Sequence, residues 1–154
     1  MARPKRLTDD QRRLWKAYRD VYQGLSSALQ EQLVRDTTLS GSEYAVLVEL
    51  SHAPGGVLRA RDIRAALGWD RSRLSHLVKR MERRSLVARE ECADDARGSM
   101  VRLTDTGRTA VEGAAPEHSH AIRQYFFDVL SGEELKTLSV VFDRLLDNLK
   151  GDKA

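Results

Sequence analysis

The chain has 154 residues, 41% apolar and 32% charged, with a formal net charge of +3, which is the composition of a globular protein large enough to bury one core. It has no run of about 18 apolar residues to cross a bilayer, and polar residues rather than an apolar stretch follow the basic start, so a cytoplasmic protein is expected. The single cysteine, Cys92, excludes an intrachain disulfide and a thiolate cluster within one subunit, and neither a metal nor another cofactor is predicted.

Three capping boxes predict where helices begin. In this motif a Ser or Thr side chain caps a backbone N–H three residues ahead, while a Glu or Gln at that position reaches back. The three pairs are Thr8 with Gln11, Ser40 with Glu43, and Ser131 with Glu134. The first pair opens a long amphipathic helix, which ends near Val34 and has apolar residues three or four apart from Leu14 to Leu33.

The middle of the chain has the pattern of a helix-turn-helix. The helix that begins at Ser40 must stop at Pro54, because proline lacks the N–H that would continue it. A third helix, about Arg59 to Leu67, ends at Gly68, and Asp70 caps a fourth helix. The fourth helix is basic and has one apolar side, formed by Leu74, Leu77, Val78 and Met81.

Two predicted strands, Leu86 to Cys92 and Ser99 to Leu103, follow this motif and form a hairpin wing around a polar turn. A long helix then starts at Thr104 and is expected to be interrupted or kinked near Pro116. A last helix has apolar residues spaced three and four apart from Leu135 to Leu149. Because the terminal helices need a partner to cover these stripes, a two-fold homodimer is predicted.

The positive charge is concentrated in the middle of the chain. Between Val57 and Arg108 there are 13 Lys and Arg against 8 Asp and Glu, whereas the remainder has 13 against 15. A basic segment between near-neutral flanks is typical of a surface that faces phosphates. An arginine-rich solvated surface is the alternative interpretation of the charge alone.

Two motifs resemble those of the MarR (multiple antibiotic resistance regulator) family. The stretch from Asp94 to Gly107 is similar to the family's wing signature of Asp-x-Arg, a short strand and Leu-Thr-x-x-Gly. The stretch from Leu74 to Arg84 is similar to its recognition helix, although Ser85 stands where the family commonly has glycine. The resemblance extends over essentially the whole chain.

The resemblance implies a mainly α fold with a small β wing, in which a winged helix-turn-helix is flanked by N- and C-terminal dimerisation helices. The chain, 1–154, would be a single domain. Its dimerisation helices would be 7–34 and 106–150, and its DNA-binding lobe 40–104, with the recognition helix at about 70–85 and the wing at about 86–103.

The function implied by this resemblance is that of a sequence-specific transcriptional regulator. A homodimer would bind a pseudo-palindromic operator in double-stranded DNA, and a small-molecule effector between the dimer helices and the DNA-binding lobe would weaken that binding. Repression is the expected outcome, with activation as the alternative.

Helical phase assigns roles to the polar face of the fourth helix. Because the N-terminal residues of a recognition helix reach base edges, Ser72, Arg73, Ser75 and His76 are predicted to read bases, with Arg73 suited to guanine. Later residues approach the backbone, so the predicted phosphate contacts are Lys79, Arg80 and Arg83, with Arg59 and Arg61 from the preceding helix. The alternative is an ordinary solvated helix face.

The wing and the aromatic residues supply further candidates. In the family that this chain resembles, an arginine at the place of Arg97 enters the minor groove or contacts the flanking phosphate, and Asp95 would hold its side chain; a hairpin-stabilising ion pair is the alternative. An effector crevice could be lined by Trp15, Tyr18, Tyr22, Tyr44 and Tyr125. Several of these aromatic residues could instead pack in the dimer interface.

The sequence contains no pattern that indicates catalysis. It has no phosphate-cradling glycine loop and no Ser or Cys set near a convincing base, so an enzyme is not predicted. His118 and His120, two residues apart, point to different sides of a helix and make a poor metal site. The alternative to a DNA-binding regulator is a winged-helix protein-interaction or dimerisation module without specific DNA binding.

Overall fold

The structure, a computed structural model, describes residues 6–91 and 98–151 as a mainly helical chain with a small antiparallel sheet, as predicted. Short 3₁₀ and π-helical turns lie at Pro54–Gly56 and Arg123–Phe127. The helices are α1 (Asp9–Asp36), α2 (Gly41–His52), α3 (Ala60–Leu67), α4 (Arg71–Arg83), α5 (Asp105–Ile122) and α6 (Gly132–Gly151), and the strands are β1 (Val57–Arg59), β2 (Val87–Glu91) and β3 (Ser99–Leu103).

All three predicted capping boxes are confirmed. At the start of α2 the backbone N–H of Ser40 donates to Glu43 Oε2 over 2.9 Å, and the N–H of Glu43 donates to Ser40 Oγ over 3.2 Å. The reciprocal bonds are also present in the boxes that begin with Thr8 and Ser131. Each box satisfies N–H groups that the first turn of a helix leaves without partners.

The sheet has one strand more than the predicted wing. Its order is β1-β3-β2, so β3 pairs with both neighbours. The third helix was predicted over about Arg59 to Leu67, and α3 agrees with this to one residue, with Arg59 as its N-cap. Arg59 also ends β1, where it pairs with Met100. The strand β1 itself was not predicted, because a three-residue strand is too short to show the alternation by which strands are recognised.

The chain divides into two compact units. One contains the described residues up to Leu25 and from Ser119 onward, and the other is Ser26–His118. The second unit has a continuous apolar core to which α2, α3, α4 and the sheet all contribute, and Val46, Leu50, Ile63 and Met81 are fully buried in it.

Gly107 explains the Leu-Thr-x-x-Gly pattern at the start of α5. Thr104 accepts the N–H of Gly107 at 3.0 Å through its side chain, which caps the helix, and its own N–H donates to the carbonyl of Leu86. A Cβ on Gly107 would lie 2.0 Å from that same carbonyl oxygen. Glycine therefore allows the first turn of α5 to pack directly against the chain that enters the wing.

The interruption expected near Pro116 is wrong in its position. The helix α5 continues through Pro116 to Ile122, and the departure from α-helical geometry comes at Arg123–Phe127. A proline inside a helix removes one backbone hydrogen bond, here the one to the carbonyl of Glu112, and both Glu112 and Pro116 are exposed residues.

The first unit leaves most of its apolar side chains exposed. Leu14 is 72% exposed, Tyr22 67% and Leu149 63%, and in this unit only Ala121 is among the buried apolar residues of the described chain. The exposed part of the apolar stripe on α1 ends before Leu33, because Leu33 is buried in the core of the second unit. None of the described helices has the combined length and apolarity needed to cross a membrane.

Candidate nucleic-acid interface

The helix α4 is fixed at both ends by local geometry. Asp70 accepts the N–H of Arg73 at 2.8 Å and caps the start of the helix, after Gly68 has turned the chain with a φ of 66°. The helix ends at Arg83, and Ser85 adopts a left-handed φ of 59°. The predicted range of about 70–85 therefore includes the cap and the turn, and serine occupies the conformation that glycine would hold without strain.

The buried stripe of α4 determines which side chains face outward. All four predicted apolar residues, Leu74, Leu77, Val78 and Met81, are buried. Of the predicted base readers, Ser72, Arg73 and His76 are exposed and Ser75 is half-buried. The structure thus leaves three of these four side chains accessible near the N-terminal end of α4, where a helix in the major groove contacts base edges.

Arg73 is held more firmly than its exposure indicates. Its guanidinium lies over the ring of Trp69, with 4.1 Å from Cζ to the ring centroid. Its Nη2 is 3.5 Å from the hydroxyl oxygen of Ser42, at the start of α2. Trp69 itself packs against the core of the unit. Trp69, in the turn between α3 and α4, therefore supports the Arg73 side chain by contact with its guanidinium.

An open groove of about 500 Å³ brings five of the predicted DNA-binding residues together. Its polar lining includes Arg73 and His76, predicted to read bases, and Lys79, Arg80 and Arg83, predicted to contact phosphates. Within residues 6–91 and 98–151, none of the four Lys and Arg side chains in this lining has an ion pair with a carboxylate. Among the described residues, the groove therefore presents positive charge that no carboxylate pairs with, which favours a polyanion.

Arg84, the next residue after Arg83, has a different role. Its Nη1 donates to both carboxylate oxygens of Glu43 at 2.7 Å, and its Nη2 donates to the carbonyl of Thr38 at 2.8 Å. Glu43 is buried. This ion pair connects the end of α4 to the start of α2, so Arg84 stabilises the lobe through both terminal nitrogens of its guanidinium.

A second cavity, of about 350 Å³, contains the two remaining predicted phosphate contacts and three arginines that the sequence analysis missed. Arg59 is half-buried, and Arg61 is exposed beside Asp62 at 3.4 Å. The missed residues are Arg64, Arg71 and Arg89. The spacing of Arg61 and Arg64, one helical turn apart, was a signal that could have identified Arg64.

Arg89 links the wing to α4. From β2 it donates to the carbonyl of Ser75 at 3.2 Å and lies 3.3 Å from a carboxylate oxygen of Glu82. Across the sheet Arg102 pairs with Glu90, and the hydrogen bonds from this guanidinium hold the pKa of Glu90 below its usual range. The predicted wing residues Asp95 and Arg97, and also Cys92, lie outside the described residues.

The aromatic candidates for an effector crevice are divided between the two units. Trp15, Tyr18 and Tyr22 form an exposed row along α1, with ring centroids 5.2 and 6.4 Å apart. Tyr125 is an exposed residue of the π-helical turn. Tyr44 belongs to the second unit, where it is half-buried against His118. A shared crevice remains a prediction from the sequence.

A half-buried polar cluster, which was not predicted from the sequence, surrounds His118. Its Nδ1 is 2.8 Å from Gln32 Oε1, and the amide nitrogen of Gln32 donates to Asp36 at 3.0 Å. Burial lowers the pKa of His118 and raises that of Tyr44, whose ring centroid is 4.5 Å away. Within the described part of the chain, no group of three His, Cys, Asp or Glu side chains could hold a metal ion.

The family model that matches this chain is that of the MarR family, over residues 37–98. AbsC, a MarR family transcriptional regulator from Streptomyces coelicolor, is 33% identical and has a TM-score of 0.88; the match covers 96% of this chain and 99% of AbsC. The chain is also 26% identical over 132 residues to the uncharacterized HTH-type transcriptional regulator YdgJ of Bacillus subtilis, covering 86% of this chain and 79% of YdgJ.

A second regulator from Streptomyces coelicolor provides a structure with DNA. Sco3205, a MarR family transcriptional regulator solved in complex with DNA, is 34% identical and has a TM-score of 0.90. The match covers 97% of this chain and 93% of Sco3205.

Proposed function

Because the chain belongs to the MarR family of transcriptional regulators, we propose that it binds operator DNA as a homodimer, through α4, and represses transcription there. The observation that carries this proposal is the groove along α4, in which four cations without carboxylate partners among the described residues accompany exposed side chains able to read bases. A helix with one fully buried face and one basic, accessible face fits the major groove.

The residues divide into two classes of contact. Ser72, Arg73, Ser75 and His76 read bases, and Arg73 reads guanine because its planar fork matches the O6 and N7 acceptors. The other cations position the protein on the backbone. They are Lys79, Arg80 and Arg83 along the groove, Arg59 and Arg61 in the second cavity, and Arg97 in the wing, with Asp95 as its support.

A homodimer is supported by the apolar surface of the first unit. Exposed apolar side chains recur along the α1 and α6 segments of that unit, including Leu14 on α1 and Phe142, Leu145 and Leu149 on α6. Exposed apolar side chains that recur along a helix in this way are typical of a protein interface. A two-fold dimer would place its recognition helices in successive major grooves, so the operator would be an inverted repeat with half-sites about 10 bp apart.

We also propose that a small-molecule effector releases the protein from its operator. The exposed aromatic row on α1, with Tyr125 and Tyr44, supplies rings and hydroxyls suited to an aromatic ligand. An effector can change DNA affinity only by binding one state better than the other. By reciprocity, a ligand that weakens operator binding must bind the protein–operator complex less tightly than the protein alone, by the same factor.

The proposal is tested by selecting bound duplexes from a random DNA pool and then measuring affinity against salt concentration. Lys79→Ala should weaken binding to all sequences and reduce the salt slope by about one unit, because it removes one cation that displaces a counterion. Arg73→Ala should instead cost about 1 to 3 kcal/mol at one base pair and relax the preference there.

Three outcomes would contradict the proposal. A selected pool without an inverted repeat would contradict the two-fold dimer on DNA. Equal loss of specific and nonspecific affinity in Arg73→Ala would contradict its role as a base reader. Absence of both duplex binding and retention on heparin would instead indicate a winged-helix module that binds protein.

A further inference from the structure

Trp69 is an aromatic residue beside the α4 groove to which the proposed DNA contacts assign no role. Its ring packs against the core of the second unit on one side, and the Arg73 guanidinium lies over the ring at 4.1 Å. We propose that Trp69 is a positioning residue that orients the Arg73 guanidinium for base recognition before DNA arrives. This inference rests on the proposed function, because it takes Arg73 to be a base reader.

The chemistry of the stack explains why it would orient Arg73 without blocking it. A guanidinium over an aromatic ring uses its flat face, whereas its N–H donors lie in the plane and point outward from its edge. Guanine offers two acceptors, O6 and N7, to two such parallel donors. In such a stack the indole ring would set the plane of the Arg73 fork, and the N–H donors that Ser42 does not use would point outward toward a base.

Arg73 is restrained at three places by three different residues. Asp70 accepts its backbone N–H at 2.8 Å, the Trp69 ring lies under its guanidinium with 4.1 Å from Cζ to the ring centroid, and Ser42 lies 3.5 Å from Nη2. A long side chain loses rotamer freedom when it binds, and one that is already ordered loses less. The ring should therefore increase affinity for the preferred base while the charge of Arg73 stays constant.

The experiment is a double-mutant cycle with Trp69→Leu and Arg73→Ala. Binding is measured to the selected operator and to a duplex altered at the base pair where Arg73→Ala relaxes preference. Trp69→Leu should weaken operator binding by about 2- to 5-fold, the range expected for a cation–π contact, and should not affect the altered duplex. In the Arg73→Ala background it should have no further effect on either duplex.

Two measurements keep the test independent of folding. Trp69→Phe retains an aromatic ring with a weaker quadrupole, so its operator affinity should lie between those of wild type and Trp69→Leu. If Trp69→Leu has a lowered melting temperature, Trp69→Phe replaces it in the double-mutant cycle. In a Trp15→Phe background, Trp69 is the sole tryptophan. There, Arg73→Ala should increase quenching of its fluorescence by acrylamide, whereas Arg80→Ala, two turns along α4, should not.

Each contrary result identifies what has failed. Equal losses from Trp69→Leu with and without Arg73 would overturn the positioning role and indicate general support of the fold. Unchanged quenching in Arg73→Ala would overturn the stack itself. If Arg73→Ala relaxes preference while Trp69→Leu does not, only the role of Trp69 is overturned. If Arg73→Ala leaves the base preference unchanged, both the assignment of Arg73 as a base reader and the role of Trp69 are overturned.

Discussion

The carboxylate of Glu43 is buried, and its oxygens accept hydrogen bonds from Arg84 and from the backbone N–H of Ser40. Removing Arg84 would leave that charge with one donor in a poorly hydrated position. Because Arg84 is 38% exposed, we expect Arg84→Ala to lower the free energy of unfolding by about 2 kcal/mol, less than the loss typical of a fully buried pair.

Arg83→Ala is the matched control for this prediction. Arg83 is adjacent to Arg84 in sequence but is exposed and has no ion pair within the described residues, so its removal should change the free energy of unfolding by less than about 0.5 kcal/mol. Denaturant titration of both variants measures the difference. Similar values for the two would show that the Glu43 contact adds nothing to stability.

His118 makes the stability of the second unit depend on pH. Burial lowers its pKa below the ordinary 6.5, so the unfolded chain binds a proton at this residue more readily than the folded one. The contribution of His118 to stability is complete above about pH 6.5 and decreases as the pH falls toward the folded pKa. Wild type should therefore lose more stability than His118→Gln between pH 7.5 and 5.5.

Denaturant unfolding at several pH values measures this difference. The quantity compared is the change in the free energy of unfolding with pH. A loss of stability in His118→Gln that is the same at every pH therefore does not affect the comparison. The carboxylates titrate mostly below this range and act equally in both proteins. Parallel curves for the two proteins would show that the imidazole near Gln32 and Tyr44 has no preference for its neutral form.

At the scale of the helices, the end of α4 has a residue whose replacement should stabilise the protein. Ser85 has a φ of 59°, a left-handed conformation in which a side chain is strained. Ser85→Gly should raise the free energy of unfolding by roughly 1 kcal/mol and the melting temperature by a few degrees. Ser27→Gly, at an exposed position inside α1, should instead lower stability by about 0.5 to 1 kcal/mol. A destabilised Ser85→Gly would contradict this explanation.

The helices were predictable because their signals are local. Capping boxes and apolar spacing act within one or two turns, and all three boxes and the buried stripe of α4 are confirmed. The strand β1, in contrast, depends on a distant segment, because it exists through its pairing with β3. A short strand with no pattern of its own is defined only by that partner.

The candidate site, like the helices, was predictable where its signal lies within a single helix. Helical phase identified the exposed face of α4, because the buried residues recur at a fixed angle. It could not show that Trp69 contacts Arg73, that Arg89 reaches α4 from the wing, or that Ser75 is half-buried. Those contacts depend on how separate elements pack, and the spacing of residues along one helix has no information about that.

At the scale of the whole molecule, the exposed apolar side chains of α6 predict the oligomeric state. Leu145 and Leu149 are more than half exposed in the single chain, so a partner should cover them. The double variant Leu145→Glu and Leu149→Glu should convert a dimer into a monomer in sedimentation experiments at micromolar concentration, because it would bury unpaired charges in the interface.

Lys136→Glu, an exposed change of charge on the same helix, is the control and should leave the dimer intact. A wild-type chain that sediments as a monomer, or a dimer unaffected by the two glutamates, would contradict the assignment of this surface. A monomeric variant should also lose most of its operator affinity, because one half-site supplies only part of the contacts.

The tight packing at Gly107 limits how the sequence of this protein can change over time. A methyl group there would collide with a backbone carbonyl, which cannot move aside as a flexible side chain could, whereas a Cβ on Gly113 in the same helix meets no described atom within 4 Å. In a library carrying every substitution, position 107 should therefore retain glycine alone, and position 113 should accept most residues. One helix would thus contain both an unchangeable glycine and a replaceable one.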